Sequence, residues 1–409
     1  MRRRNLEFVP ALLFICALVP ACLTDRLGGA FCKEPEELAR EATEETSRLI
    51  EQAFAGLDPA RLVDHHVHVL AIGTSVKDAF VNPRMLRGFN LERLKFRIYV
   101  SATGIKNLQN ADEEYLARLV RLARAAAPQG KFRILAFDKH YNAGGSVNLA
   151  KTTMYIPNDY VVGSAQKYPD TFAPVVSIHP YRADAMQELE RWANAGVRYV
   201  KWLPNAMGMD PGDPAIEPFY KKMVEHKMIL ISHAGEEQAV EADEDQKLGN
   251  PLLLRKPLDL GVRVVIAHAA SLGDCADLDS RERKTASCFD LFLRMMDERK
   301  YAGLLFGEIS AMLQFNRMPV PLATILKRQD LHARLVNGSD YPLPAINSLI
   351  WTRSLARQGF ITAAEREALN EIYDYNPLLF DFVLKRTLRH PETKQKLAAS
   401  VFMENPGLE

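Results

Sequence analysis

Arg61-Leu62-Val63-Asp64-His65-His66-Val67-His68-Val69 is the stretch whose reading decides the fold. Leu62, Val63, Val67 and Val69 are strand formers, and a strand turns alternate side chains to one face. The spacing predicts His66 and His68 on one face, with Asp64 one step earlier on the same face. On a strand rising ~3.3 Å per residue, the two imidazoles start about 7 Å apart. Imidazoles so placed can grip one divalent cation. An isolated His-x-His also suits a half-exposed polar strand end, so the rest of the chain has to decide.

Downstream, short apolar runs alternate with helical patterns. The runs fall at 132–137, 172–178, 197–203, 228–231, 262–267, 304–309 and 335–336, with helices expected near 158–168, 184–195, 216–226, 248–259, 286–299 and 319–329. With the His-x-His strand this gives eight strands, each followed by a helix. That pattern predicts an α/β chain folded as a (β/α)8 TIM barrel. The doubly wound sheet ranks second, because no Gly-rich phosphate turn opens the first unit. Segment 73–110 lacks a clean strand period and reads as an insertion after the first strand; 111–127 reads as a helix. The expected layout is a signal at 1–22, a helical segment at 33–60 with a charged helix over 35–54, and the barrel at 61–390. Helices near 363–372 and 377–386 close or pad it.

The chain has 409 residues, 47% hydrophobic and 25% charged, with a formal net charge of +1. This length supports a large core. No basic run interleaved with aromatics points to nucleic acid. Arg2-Arg3-Arg4 precedes an apolar run from Phe8 to Ala21 that is broken by Pro10 and Pro20. That is a secretory signal pattern, too short for a comfortable transmembrane helix. Val19-Pro20-Ala21-Cys22 also resembles a bacterial lipobox. Plain cleavage, lipidation of Cys22 and an uncleaved anchor all stay open, and each predicts an exported protein, periplasmic or lipid-anchored. Beyond the signal, Cys275 and Cys288 can pair in an oxidising compartment.

In a barrel of this kind the site lies at the carboxyl ends of the strands. Metal-type residues fall there. His66 and His68 end the first strand, Lys201 the fourth, His233 the fifth, His268 the sixth, and Asp340 the eighth. Each alone has an ordinary explanation as a rim hydrogen-bonder, a turn residue or a snorkelling lysine. Together, four neutral imidazoles and a carboxylate make a site for zinc or a similar ion.

This pattern resembles the amidohydrolase superfamily of metal-dependent hydrolases, in its amidohydrolase-2 branch, from Asp64 to about Phe382. Asp64-x-His66-x-His68 looks like the first-strand signature. Asn158-Asp159-Tyr160, Lys167 to Phe172 and Ile178-His179-Pro180 look like the lead-in to the third strand. Gly196 to Pro204 followed by Asp210-Pro211 resembles the fourth. Ile231 to Gly235, Ile266-Ala267-His268 and Gly338 to Pro342 resemble the fifth, sixth and eighth strand ends. His179 departs from the branch, which often carries Asp there, and the insertion is a second departure.

The resemblance implies one ion held by His66, His68, His233 and Asp340, or two ions bridged by a carboxylated Lys201, with His233 and His268 on the second. The two-ion form is the reading favoured. Asp340 is expected as the general base, and His268 as a second catalytic residue where it is not a ligand. The reaction implied is cleavage of an amide, ester or lactone of a small molecule. Non-oxidative decarboxylation is the alternative, and a non-catalytic binding protein ranks last because no expected ligand is missing. Partners are a small-molecule substrate, a membrane only through the N-terminal anchor, and a second copy of the chain.

Overall fold

In the computed structural model, residues 28–29 and 33–409 are described; the expected signal, with Cys22, lies outside them. Eight short parallel strands carry the architecture: β1 Val63–His68, β2 Lys131–Leu135, β3 Phe172–Val175, β4 Tyr199–Trp202, β5 Ile229–His233, β6 Arg263–Ala267, β7 Leu305–Glu308 and β8 Leu335–Val336. The first three strands pair in order, and so do the last five. Parallel bridges Val176↔Val200 and Val67↔Tyr341 join the two sets at both seams. The result is the closed (β/α)8 barrel.

Among the described residues, helices of eight residues or more are α1 Glu44–Phe54, α2 Leu91–Thr103, α3 Ala111–Ala126, α4 Asn158–Lys167, α5 Ala185–Asn194, α6 Glu217–Glu225, α7 Cys288–Asp297, α8 Val320–Lys327, α9 Ala363–Tyr375 and α10 Pro377–Thr387. None of the described helices is long and apolar enough to cross a membrane. α3 shows why they pack as they do. Tyr115, Leu119, Leu122, Ala123 and Ala126 recur at helical spacing and are buried, and Asp112, Glu113 and Glu114 open its positive end.

Two cores result. Inside the barrel, Leu135, Val175, Tyr199, Ile229, Ile231, Val265, Phe306 and Val336 pack on one another, and Leu408 joins them. The chain thus still contributes to the barrel beyond residue 390. A much larger apolar sleeve lies between strands and helices.

Three expectations are corrected. The helix over 35–54 is broken at Ala42–Thr43, where Thr43 caps α1 by accepting from Thr46 N and also donates to Glu371 Oε2 at 2.7 Å. The helix expected at 248–259 is two 3-10 turns and a short helix, Arg255–Asp259. Pro251 and Pro257 remove helical donors there, and Asn250 caps a new start by accepting from Leu252 N. The third correction concerns β1, where the pairing with β2 slips between Asp64 and Val67. One extra residue is accommodated, so strict alternation fails. His65 and His66 both turn inward: His65 toward Arg133 and Tyr199 at the barrel base, His66 toward the rim. Asp64 leaves their face. Its Oδ1 accepts from His66 N at 3.0 Å and Ser339 N at 2.9 Å.

The insertion is not shapeless. It forms α2 and a two-residue strand, Phe80–Val81, paired antiparallel with Met154–Tyr155. It lies over the carboxyl end of the barrel, where Tyr99 and Thr103 line a cavity.

Candidate metal centre

The six residues expected from sequence converge at the carboxyl ends of the strands. His66 Nε2 lies 3.2 Å from His68 Nε2, 3.4 Å from Asp340 Oδ1 and 3.3 Å from Lys201 Nζ. Asp340 Oδ1 is also 3.1 Å from His68 Nε2. His268 packs against the His66 ring at 5.1 Å between centroids, and His233 against His268 at 5.2 Å. One ligand atom each from His66, His268 and Asp340 fall within 4.8 Å of one another. All six are buried except His68, whose side chain is 29% exposed.

Their positions are braced from behind. Asp340 N donates to His66 O at 2.7 Å, which ties β8 to β1. Lys385 of α10 pairs with Asp381 and donates to Gly338 O, each at 2.6 Å. Gly338 must be glycine, because a Cβ there would meet Glu308 Oε1 at 2.5 Å and His66 Cβ at 2.7 Å. His268 and Asp340 themselves hold φ of 57° and 60°. Left-handed backbone at non-glycine residues costs on the order of 1–3 kcal/mol each and gathers at functional sites.

Glu308 ends β7 at the same rim. It is the hub of the site. Glu308 Oε2 lies 2.9 Å from His66 Nδ1 and accepts from Ser310 Oγ at 2.7 Å. Ser310 Oγ in turn lies 2.7 Å from His268 Nδ1. Because the Ser310 proton goes to Glu308, His268 Nδ1 carries its own proton toward Ser310. His66 Nδ1 likewise donates to Glu308. Both rings are thereby fixed as the tautomer with a bare Nε2, the form that binds metal. Glu237 Oε2 lies 3.5 Å from His233 Nδ1 and makes no hydrogen bond to it, so that ring is not fixed in the same way.

Burial sets the charge states. It pushes the imidazoles of His66, His233 and His268 well below their usual range, with Lys201, Arg317 or neighbouring rings adding to the effect. They stay neutral at pH 7. Burial also lowers Lys201 to about 8, against the pull of Asp340, Glu308 and Glu237. It raises Glu308 to about 7, opposed first by Lys385 and then by the Ser310 hydrogen bonds. Both His233 nitrogens are buried without a hydrogen-bond partner, an expensive arrangement for polar atoms. Neutral rings, bare nitrogens, an adjacent carboxylate and a lysine whose ammonium is destabilised by burial fit a divalent ion. His66, His68, His233, His268 and Asp340 would hold it, with Lys201 beside them.

The other rim residues divide. Asp138 is spent on His179 N and Arg182, and Trp202 Nε1 on Ile178 O. Asn205 donates to Gly235 O, and Arg182 also pairs with Asp184. His179, where the resembled branch often has Asp, uses both ring nitrogens on backbone, at Met207 O and Tyr181 N. Asp64 is a brace, not a donor. Above the centre lies a cavity of about 240 Å³, floored by His68, His268 and Asp340 and walled chiefly by apolar side chains such as Val69, Leu70, Phe137 and Leu203. Glu237 and Arg317 also line it.

No curated protein matches the chain. Among solved structures, an uncharacterised TIM-barrel protein from Bordetella bronchiseptica is 18% identical, with a TM-score of 0.48 over 76% of this chain and 99% of that one. A probable 2-pyrone-4,6-dicarboxylic acid hydrolase from Acinetobacter baumannii is 13% identical, with a TM-score of 0.43 over 77% and 96%. A 5-carboxyvanillate decarboxylase from Sphingomonas paucimobilis is also 13% identical, with a TM-score of 0.43 over 72% and 93%. The family model described as "Amidohydrolase" matches residues 63–369, which span the strands and all six convergent residues. The chain belongs to the amidohydrolase-2 family of metal-dependent enzymes.

Proposed function

We propose that the protein is a metal-dependent hydrolase that cleaves an amide, ester or lactone bond of a small molecule. The observation that carries this reading is the double position of Asp340. Its carboxylate lies among the metal-type donors and also lines the substrate cavity. When bound at these donors, a divalent ion such as zinc supplies a water acidified toward pKa ~7 and polarises a carbonyl. Asp340 takes the proton of the attacking water and returns it to the leaving group. His268, neutral and with Nδ1–H turned to Ser310, offers a lone pair at Nε2 and suits a ligand better than an oxyanion donor. The apolar walls exclude bulk water and seat the rest of the substrate.

The N-terminal pattern and the disulfide between Cys275 and Cys288 support an exported protein, since such bonds persist in oxidising compartments.

Decarboxylation of an acid is the second reading, and Arg317 is its specific support. Arg317 lines the cavity, is 8% exposed, and has an Nε without a hydrogen-bond partner. A buried guanidinium beside His268 suits a substrate carboxylate.

The test is metal content by elemental analysis, before and after chelation, with activity on a panel of esters, lactones, amides and aromatic acids. Asp340→Asn is expected to retain most of the bound metal and to lose turnover by at least a hundredfold. Near-normal hydrolysis by that variant, or full activity without metal, would overturn the reading. Release of carbon dioxide from an acid, with no hydrolysis, would establish the second.

A further inference from the structure

One feature of the insertion is not used by the metal centre. From Arg84 to Arg97 the sequence reads Arg-Met-Leu-Arg-Gly-Phe-Asn-Leu-Glu-Arg-Leu-Lys-Phe-Arg, with Glu92 its single carboxylate. Three of its apolar side chains face solvent: Phe89 is 99% exposed, Leu91 52% and Leu86 41%. Scattered surface apolar residues are ordinary. A wholly exposed phenylalanine with two such neighbours within a few residues is not.

The turn that presents Phe89 is built. Gly88 reverses the chain at φ 86°. Asn90 Nδ2 donates to Arg87 O at 3.2 Å, and Asn90 Oδ1 caps α2 by accepting from Arg93 N at 2.7 Å. Arg93 Nη1 donates to Gly88 O at 2.8 Å. Local hydrogen bonds therefore hold an aromatic ring in water, with Arg93 6.0 Å from its centroid and Arg84, Arg87 and Arg97 exposed on the same segment.

The position of this tip matters. Arg84, Leu91 and Lys95 line a second cavity of about 390 Å³, which shares the wall Glu237–Val240 with the cavity over the metal donors. Lys95 Nζ donates to Gln238 O at 2.7 Å and Tyr99 OH to Ala239 O at 3.0 Å, so α2 is fastened to that wall. Gly28 meets the same helix, where an added Cβ would come within 2.8 Å of Ile98 O.

We infer that segment 84–97 docks the protein on an anionic lipid surface. Leu86, Phe89 and Leu91 enter the boundary between headgroups and acyl chains, and Arg84, Arg87 and Arg97 meet anionic headgroups. An apolar tip ringed by cations matches that surface in both chemistries. Docking holds the cavity mouth beside the membrane.

The experiment uses the full chain carrying Phe89→Trp and Trp351→Phe, which replaces the exposed Trp351. Vesicles of phosphatidylcholine alone are compared with vesicles containing phosphatidylglycerol, with and without brominated acyl chains. The expected result is a blue-shifted emission quenched by brominated lipid on the anionic vesicles and much less on the neutral ones. Combining Arg84→Glu, Arg87→Glu and Arg97→Glu is expected to weaken anionic-vesicle binding about a hundredfold or more, at roughly 0.7 decade of binding per basic residue lost. The thermal melt of that variant should be unchanged. Co-sedimentation with no quenching at position 89 would mean attachment through the N-terminal segment alone and would overturn the inference. So would burial of position 89 in a dimer, seen by sedimentation, with no response to lipid.

Discussion

Replacing Lys201 by Met tests the electrostatics of the centre without any knowledge of the substrate. Lys201 is buried, and its amine is lowered from 10.5 to about 8 by burial, with Asp340, Glu308 and Glu237 pulling the other way. At about 1.4 kcal/mol per unit, keeping the charged form folded costs on the order of 3 kcal/mol. The sign follows from proton counting. Between pH 8 and 10.5 the unfolded chain binds more protons at this residue than the folded one, so stability rises with pH in that window. Below about pH 8 the cost is present in full. Methionine has similar length and no charge, so metal-stripped Lys201→Met should be about 3 kcal/mol more stable at pH 7. That corresponds to roughly 4 °C in melting temperature for a chain of this size. The gain should shrink as pH rises from 8 and vanish near 10.5. The assay is denaturant unfolding of chelated protein from pH 6 to 11, taken as the difference between parent and variant. A variant less stable than the parent at pH 7, or a difference flat with pH, would refute the reasoning.

Glu308→Gln removes the anionic acceptor for His66 Nδ1–H and Ser310 Oγ–H, and metal affinity should fall 10–100-fold, measured by competition with a coloured chelator; unchanged affinity would mean that neither tautomer depends on Glu308. Cys275→Ser with Cys288→Ser opens a link spanning 13 residues, and the loss expected for such a loop is about 2–3 kcal/mol, read by denaturant melts under non-reducing conditions. If the substrate is an acid, Arg317→Gln should raise KM at least tenfold with kcat nearly kept, while uncharged substrates are unaffected; an equal loss on both kinds would assign Arg317 to the fold alone.

The sequence was most legible where function and local structure use the same residues. His66, His68, Lys201, His233, His268 and Asp340 sit at strand ends, and strand ends are announced by runs of Val, Ile and Leu. What it could not show depends on partners far away in the chain. The slip in β1 arises in its pairing with β2, and nothing within residues 61–69 encodes it. It is this slip that takes Asp64 off the expected face and makes it a brace for Ser339. Glu308 carried the same strand-end signal as the histidines, but a glutamate is common on any rim. Its weight comes from His66 on β1 and His268 beyond β6, which only the closed barrel brings to it. The break before Thr43 similarly depends on Glu371, more than 300 residues away.

The costs in the molecule fall together, and that is the strongest argument for a functional centre. Left-handed backbone at His268 and Asp340, two unpartnered nitrogens on His233, a lysine pushed toward neutrality and a glutamate raised to about 7 all meet at one barrel rim. A core selected for stability alone would replace them with apolar side chains. The electrostatic costs among them would be relieved by one event. Imidazole nitrogens left bare here would be taken up by a divalent cation, whose charge would favour ionised Glu308 behind His66 and the neutral amine of Lys201. The barrel supplies stability elsewhere, through its two apolar cores, and the rim uses part of it to hold donors ready for an ion.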